Sequence, residues 1–284
     1  MATAAILASG KGHKDENFPV ASVLLKAEHR APVMAFYRFA RAADDVADNG
    51  SASADARLAL LATMRATLLG GSDGAGTSDA SAEAQGLREV LAERGLSPRH
   101  GLDLLTAFER DCQVNRCRDW ADLIDYCRYS AMPVGRYVLD VHGESEACWP
   151  ASDALCAALQ IINHLQDCGK DYRGIDRVYV PLDTLAEHGM TVSDLGAAVA
   201  APGLRATIRA LAVRTDDLLA QSAGFASQIS DRRLAVEVAI IHRLAVSLNA
   251  RLKTRDPLSE RVHHSKPEAL GLAVMAALAQ LVGR

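Results

Sequence analysis

Helical periodicity runs through almost the whole chain, and strand signals are nearly missing. Val178-Tyr179-Val180 is β-rich, but Pro181 stops it. The expectation is therefore an all-α fold. Pro19 suits the first turn of an opening helix, and Pro32 the start of a second that runs to about Asp48. Further helices are predicted over 55–69, 83–94, 98–112, 120–143, 151–171, 203–228, 231–254 and 267–282. Gly70–Ala82, rich in Gly, Ser and Asp, reads as a flexible loop, and residues 1–15 as a flexible tail. Helices continue on both sides of that loop. The 284 residues are near the upper size of one hydrophobic core. One α-helical domain over 1–284 is expected.

Composition narrows the function classes. A net charge of −4 and 23% charged residues give no basic patch, so nucleic acid is not an expected partner. Six cysteines without a CxxC pair read as free thiols of a reducing cytoplasm rather than a zinc site. The first residues make a poor secretory leader, because the apolar run Ala4–Ala8 is short and its cations follow it. Ala269–Val282 falls short of the ~20 apolar residues that span a bilayer. It reads as a buried closing helix, or else as one that touches a membrane surface.

Two acidic segments carry the chemistry. On a helix, Tyr37, Arg41, Asp44 and Asp48 fall on one face, opposite Val33, Phe36, Phe39, Ala40 and Ala43. Carboxylates four apart repel each other, and a helix C-terminus disfavours anions. The conflict asks for a cation, unless this is simply a solvated acidic helix end. The second segment repeats the pattern: Gln160, Asn163, Asp167 and Asp171 share a face close to a helix end. Carboxylate and amide oxygens suit magnesium, Mg2+, a hard ion that binds through carboxylates and substrate phosphates. Two such stripes on separate helices can clamp one polyanion through shared metal.

Other acidic groups read as structural. Asp119, Asp122 and Asp125 lie at a helix start, and Asp216-Asp217 has no carboxylate four residues on. Pro133 and Gly135 inside a helical pattern imply a kink that opens a cavity wall, or a plain junction between two helices. Candidate cations for a diphosphate are Arg41, Lys170, Arg177, Arg261 and Lys266.

These pieces resemble the squalene/phytoene synthase family. The motifs are Y-x-x-x-R-x-x-D-D-x-x-D at Tyr37–Asp48, YCR..A.PVGR at Tyr126–Arg136, and Q-x-x-N-x-x-x-D-x-x-x-D at Gln160–Asp171, running on to R-V-Y-V-P at Arg177–Pro181. The resemblance spans about Glu16 to Lys266. It implies an isoprenoid-synthase-type helical bundle around a central cavity. It also implies magnesium held by Asp44, Asp48, Asn163, Asp167 and Asp171, with Tyr37, Arg41, Gln160, Gln166 and Arg177 around the diphosphate. Gln166 stands where many members have arginine. Condensing members carry a His-Ser-Lys-Ser-Phe type segment where this chain reads Lys14-Asp15-Glu16-Asn17-Phe18. ENFPVAS and SAMPVGR resemble the bacterial hydroxysqualene-forming subgroup of hopanoid pathways.

The resemblance thus implies an enzyme that ionises presqualene diphosphate with magnesium and gives hydroxysqualene. Metal, Arg41 and Tyr37 would neutralise the leaving diphosphate. An apolar cavity would shield a cyclopropylcarbinyl cation, with Phe18 and Tyr129 as candidate π partners, until one water captures it. No Gly-rich dinucleotide motif is present, so reduction to squalene is not expected. The alternatives are a squalene, presqualene-diphosphate or phytoene synthase that condenses two prenyl diphosphates, and a non-catalytic scaffold of pathway enzymes. The expected location is the cytoplasm, with peripheral membrane contact as an extension.

Overall fold

The structure is a computed structural model that describes residues 26–71 and 79–282. The opening helix at Pro19, the tail over 1–15, Phe18 and the centre of the loop after Gly70 lie outside the described residues. Twelve α-helices form among those described: α1 (Ala27–Ala47), α2 (Ala54–Leu68), α3 (Asp79–Arg94), α4 (Arg99–Asp111), α5 (Trp120–Ser130), α6 (Met132–Val141), α7 (Trp149–Ile175), α8 (Leu182–Glu187), α9 (Pro202–Gln221), α10 (Phe225–Gln228), α11 (Arg232–Leu252) and α12 (Lys266–Val282). The all-α expectation holds, and the one β feature is an isolated bridge between Arg116 and Val178. The chain divides into two compact units, one of Met1–Val114 with Arg136–Gly143, the other of Asn115–Gly135 with Glu144–Arg284.

In the first unit, α1 packs on α2, α3 and α4. Phe36, Phe39, Leu61, Met64, Leu87, Leu104, Leu105 and Tyr137 make its core. Pro32 does not start α1; the helix begins at Ala27 and encloses the proline. Proline has no N–H, so the Glu28 carbonyl one turn back loses its helical donor. Arg94 Nη2 replaces that donor at 2.6 Å. The Pro32 carbonyl accepts from Tyr137 Oη at 3.1 Å, and the Tyr137 ring stacks on Phe36 at 4.1 Å. These contacts offset the cost of an interior proline. Helix α3 also starts four residues earlier than expected, which shortens the loop after Gly70.

In the second unit, α7 packs on α5, α9 and α11. Its buried face carries Leu155, Ile161, Ile162 and Leu165. The single helix expected over 120–143 is broken at Ala131 (φ −123°, ψ −47°), and Pro133 falls in the first turn of α6, where its missing N–H is harmless. The plain-junction reading of this stretch is therefore the observed one. A Cβ on Gly135 would lie 2.5 Å from Ser152 Oγ and 2.6 Å from Cys156 Sγ, so glycine allows α6 to start against α7. Val178 is hydrogen-bonded to Asn115 and Cys117 through its backbone, which absorbs the short β-rich run without forming a sheet. The helix expected over 203–228 splits at Ser222–Gly224.

Three of the acidic groups set aside as structural make structural contacts. Asp119 caps α5 by accepting from the Asp122 N–H, and Asp122 accepts from Arg118. Asp216 accepts from Asn249 Nδ2 at 2.9 Å and pairs with Lys253. All six cysteines are free thiols. Helix α12 departs from the buried reading: Ala276 is its buried residue, while Leu270, Val274, Met275, Leu278 and Leu281 are exposed. No helix among the described residues is long and apolar enough to cross a membrane.

Candidate active site

Helix α1 presents the first stripe as its periodicity dictates. Val33, Phe36, Phe39 and Ala43 are buried, while Tyr37, Arg41, Asp44 and Asp48 are half-buried. Asp48 is the C-cap, and its N–H returns to the Asp44 carbonyl at 2.9 Å. Both carboxylates thus sit on the negative end of the helix dipole. No basic residue occupies the last turn of α1. Arg57 of α2 compensates, donating from Nη1 to the Ala47 carbonyl at 2.6 Å.

Arg41 divides its guanidinium between two carboxylates, reaching Asp44 Oδ2 at 3.0 Å and Asp45 Oδ1 at 2.7 Å. Even so, the Asp44 carboxyl is pushed up to about 7. Burial is the largest cause and the Asp48 charge the next; Arg41 opposes them, and Asp45 and Asp111 add to the rise. A third of the Asp44 side chain still touches solvent, so the burial effect reflects the mass of protein around the carboxyl rather than sealing from water. The arrangement is short of positive charge. Asp45 and Asp111 were missed from sequence. Asp111 is buried as the last residue of α4, and an anion at a helix C-terminus is the same conflict that singled out Asp44 and Asp48.

The second stripe lies on α7, where Gln160, Asn163, Asp167 and Asp171 are all half-buried. The helix does not end at Asp171 but runs to Ile175. It stops at Asp176 in the left-handed region (φ 52°), a conformation that aspartate tolerates better than most residues. Arg116 Nη2 holds the Asp176 carboxylate at 2.6 Å. Asp171 is therefore set within the regular helix, more rigidly than a loop-edge residue.

Beside this stripe stands an aromatic group that the sequence reading missed. The His164 ring stacks on Tyr179 at 3.6 Å, and its Nε2 lies 3.1 Å from Gln160 Nε2. Tyr126 lies 5.0 Å from Tyr179 between ring centroids, and the two hydroxyls are 3.1 Å apart. Burial first, then the nearby Arg177 charge, lowers His164 to about 3, so it works as a neutral imidazole. Gln166 and Arg177 are both buried. Tyr129, the residue expected to offer a π face, is half-buried on α5, whereas Tyr126 joins His164 and Tyr179. The signal available was the placement of Tyr126 and His164 inside two of the quoted motifs and of Tyr179 in the run that follows the last of them. Lys170, Arg261 and Lys266 are exposed.

Each stripe fits magnesium by its donors. The candidate ligands Asp44, Asp48, Asn163, Asp167 and Asp171 offer carboxylate or amide oxygens without thiolate or imidazole, and Asp44, raised by burial and then by the Asp48 charge, is a carboxyl that a cation would hold ionised.

The comparisons identify the family. The squalene/phytoene synthase family model matches residues 11–268. A hydroxysqualene synthase of Zymomonas mobilis is 56% identical over 98% of this chain and 92% of its own length. That of Rhodopseudomonas palustris is 50% identical over 100% and 95%. Among solved structures, squalene synthase HpnC of Alicyclobacillus acidocaldarius superposes with a TM-score of 0.66 at 28% identity, covering 93% of this chain and 88% of that one. A dehydrosqualene synthase bound to a ligand gives 0.74 at 22%, covering 94% and 92%, a likeness of fold alone. These relatives indicate an isoprenoid-processing enzyme, and the chain belongs to the squalene/phytoene synthase family.

Proposed function

We propose that the protein converts presqualene diphosphate and water to hydroxysqualene and diphosphate, as a step of hopanoid biosynthesis. The observation that carries this is the pair of oxygen-donor stripes, one of them with a carboxyl pushed up to about 7 by burial and by the neighbouring Asp48 charge. The relatives at 56% and 50% identity, both named hydroxysqualene synthase, support the choice of product.

Asp44 and Asp48 on α1, and Asn163, Asp167 and Asp171 on α7, would hold magnesium. When bound, it supplies Lewis-acid neutralisation of the leaving diphosphate. Arg41 and Tyr37 bind diphosphate oxygens, with Arg41 exchanging part of its bonding to Asp44 and Asp45 for the ligand. Gln160 and Arg177 orient the diphosphate end. The substrate C–O bond breaks and its electron pair leaves on diphosphate. Tyr126 and Tyr179 offer aromatic faces that would stabilise the cation. A water oxygen then forms the new C–O bond and releases its proton.

Incubation with farnesyl diphosphate as the only prenyl substrate, with magnesium and NADPH, tests the reading against a condensing synthase. The proposal expects neither presqualene diphosphate nor squalene. Efficient dimerisation would replace it with the condensing reading, which the 28%-identical structure named squalene synthase favours.

The same proposal includes peripheral contact with an anionic lipid surface through α12. Leu270 is 66% exposed and Leu278 58%, residues 270–282 carry no charge, and the cations Arg261 and Lys266 are exposed beside the helix start. An apolar face flanked by cations is the pattern of an interfacial helix, and a thirty-carbon alcohol needs an apolar phase to leave into. The protein should sediment with phosphatidylglycerol-containing vesicles and less with phosphatidylcholine alone. Leu270→Gln with Leu278→Gln should abolish this; unchanged sedimentation, or loss of a dimer instead, would refute it.

A further inference from the structure

We propose that His164 is a positioning residue that fixes the carboxamide of Gln160 for the diphosphate end of the substrate, an inference that rests on the reading above. Gln160 stands half-buried at the head of the α7 stripe, one turn before Asn163 and two before Asp167. A glutamine side chain has three rotatable bonds and is costly to order unless something holds it. His164, one turn along the same helix, holds it through the 3.1 Å contact between their Nε2 atoms.

The imidazole is itself immobilised. Its face is stacked on Tyr179 at 3.6 Å with 20° between the planes, and Tyr126 meets it tilted, at 5.9 Å. Those two tyrosines are bound to each other through their hydroxyls at 3.1 Å. The stack fixes the ring plane, and a ring nitrogen accepts within that plane, so the direction of the Gln160 N–H is fixed as well. One amide N–H is spent on the imidazole. The second N–H and the carbonyl oxygen are left for a phosphate oxygen and a hydrated cation. A leucine or isoleucine at 164 would pack as well on Tyr179 and leave the carboxamide free to rotate.

The test is a double-mutant cycle on full-length protein. His164→Phe keeps a ring to stack on Tyr179 but has no acceptor. His164→Gln restores an acceptor near the same place. Both are made in the wild type and in Gln160→Leu. Readouts are kcat and KM for presqualene diphosphate, and the rise in melting temperature caused by magnesium with pyrophosphate. His164→Phe should lower kcat/KM about 10-fold, as loss of an orienting partner typically does. His164→Gln should recover most of that loss. In the Gln160→Leu background, His164→Phe should change nothing beyond about twofold, the additivity limit for independent sites. If His164→Phe does not melt cooperatively, His164→Asn, too short to reach Gln160, takes its place in the cycle. An equal loss in both backgrounds, or a loss under about twofold in the wild type, overturns the proposal. If the wild type fails to turn over presqualene diphosphate, the functional reading falls, and the pyrophosphate melting shift alone decides the role of His164. A wild-type melting curve indifferent to pyrophosphate with magnesium overturns both.

Discussion

The α1 and α7 stripes carry the same sequence pattern and solve opposite problems. On α1 the carboxylates sit on the last residues of a helix, crowded by Asp45 and Asp111, and Arg41 cannot offset them all. On α7 they lie inside a 27-residue helix and are flanked by an imidazole stacked on Tyr179. The first stripe stores electrostatic repulsion, and the second provides rigid geometry. The difference teaches that a DxxxD spacing specifies a shared face, whereas the helix position and the neighbours decide whether that face is short of charge or merely well placed.

The largest effect should come from the ligand charges themselves. Asp44→Asn and Asp167→Asn should each lower turnover by at least about 100-fold, the scale of losing one major stabiliser of leaving-group charge. Near-normal activity in either purified variant would break the assignment of that stripe. Metal-free stability separates the two. Asp44→Asn should raise the melting temperature above pH 7, because it removes a charge pressed against Asp48. Asp167→Asn should stay within about 0.5 kcal/mol of the wild type.

The next effect is a pH dependence that belongs to α1. The folded-state Asp44 carboxyl titrates near 7 rather than at the ordinary 3.8, so the folded protein holds a proton that the unfolded chain releases between those values. Its stabilising contribution is complete below 3.8 and disappears as pH rises through 7. In chelator-treated protein this should cost about 1–2 kcal/mol between pH 4 and 8, after discounting for the partly exposed side chain. Magnesium with pyrophosphate should flatten the slope. A flat profile without metal would remove the contrast between the stripes.

The sequence disclosed the stripes because helical spacing is a local property. It also disclosed the structural role of Asp119 and Asp122 from dipole logic alone. It misplaced the start of α1, because the donor that replaces the missing Pro32 N–H comes from Arg94, sixty-two residues away. The Tyr126, His164 and Tyr179 group was hidden for the same reason: three segments meet through tertiary packing, and no periodicity within one of them announces it. The extent of α7 was read one turn short because Tyr172–Asp176, with Gly174 inside it, reads as a loop, whereas the helix runs on to Ile175 and Asp176 ends it in a conformation usually left to glycine.

The smallest expected effect tests that packing logic. Arg94→Ala leaves the Glu28 carbonyl without its donor, and Arg57→Ala does the same at Ala47. Each should cost about 1 kcal/mol of stability by chemical denaturation. Arg57→Ala should also weaken magnesium-dependent activity slightly, because it removes a cation beside the Asp44 end of α1; Arg94→Ala should not.

The central claim is that water, not a second prenyl group or a hydride, ends the reaction. Presqualene diphosphate turned over with magnesium in oxygen-18 water, followed by mass spectrometry of the lipid extract, tests it directly. The account predicts hydroxysqualene carrying one oxygen-18 atom, with no squalene when NADPH is added. Unlabelled alcohol, or squalene as the main product, would contradict it.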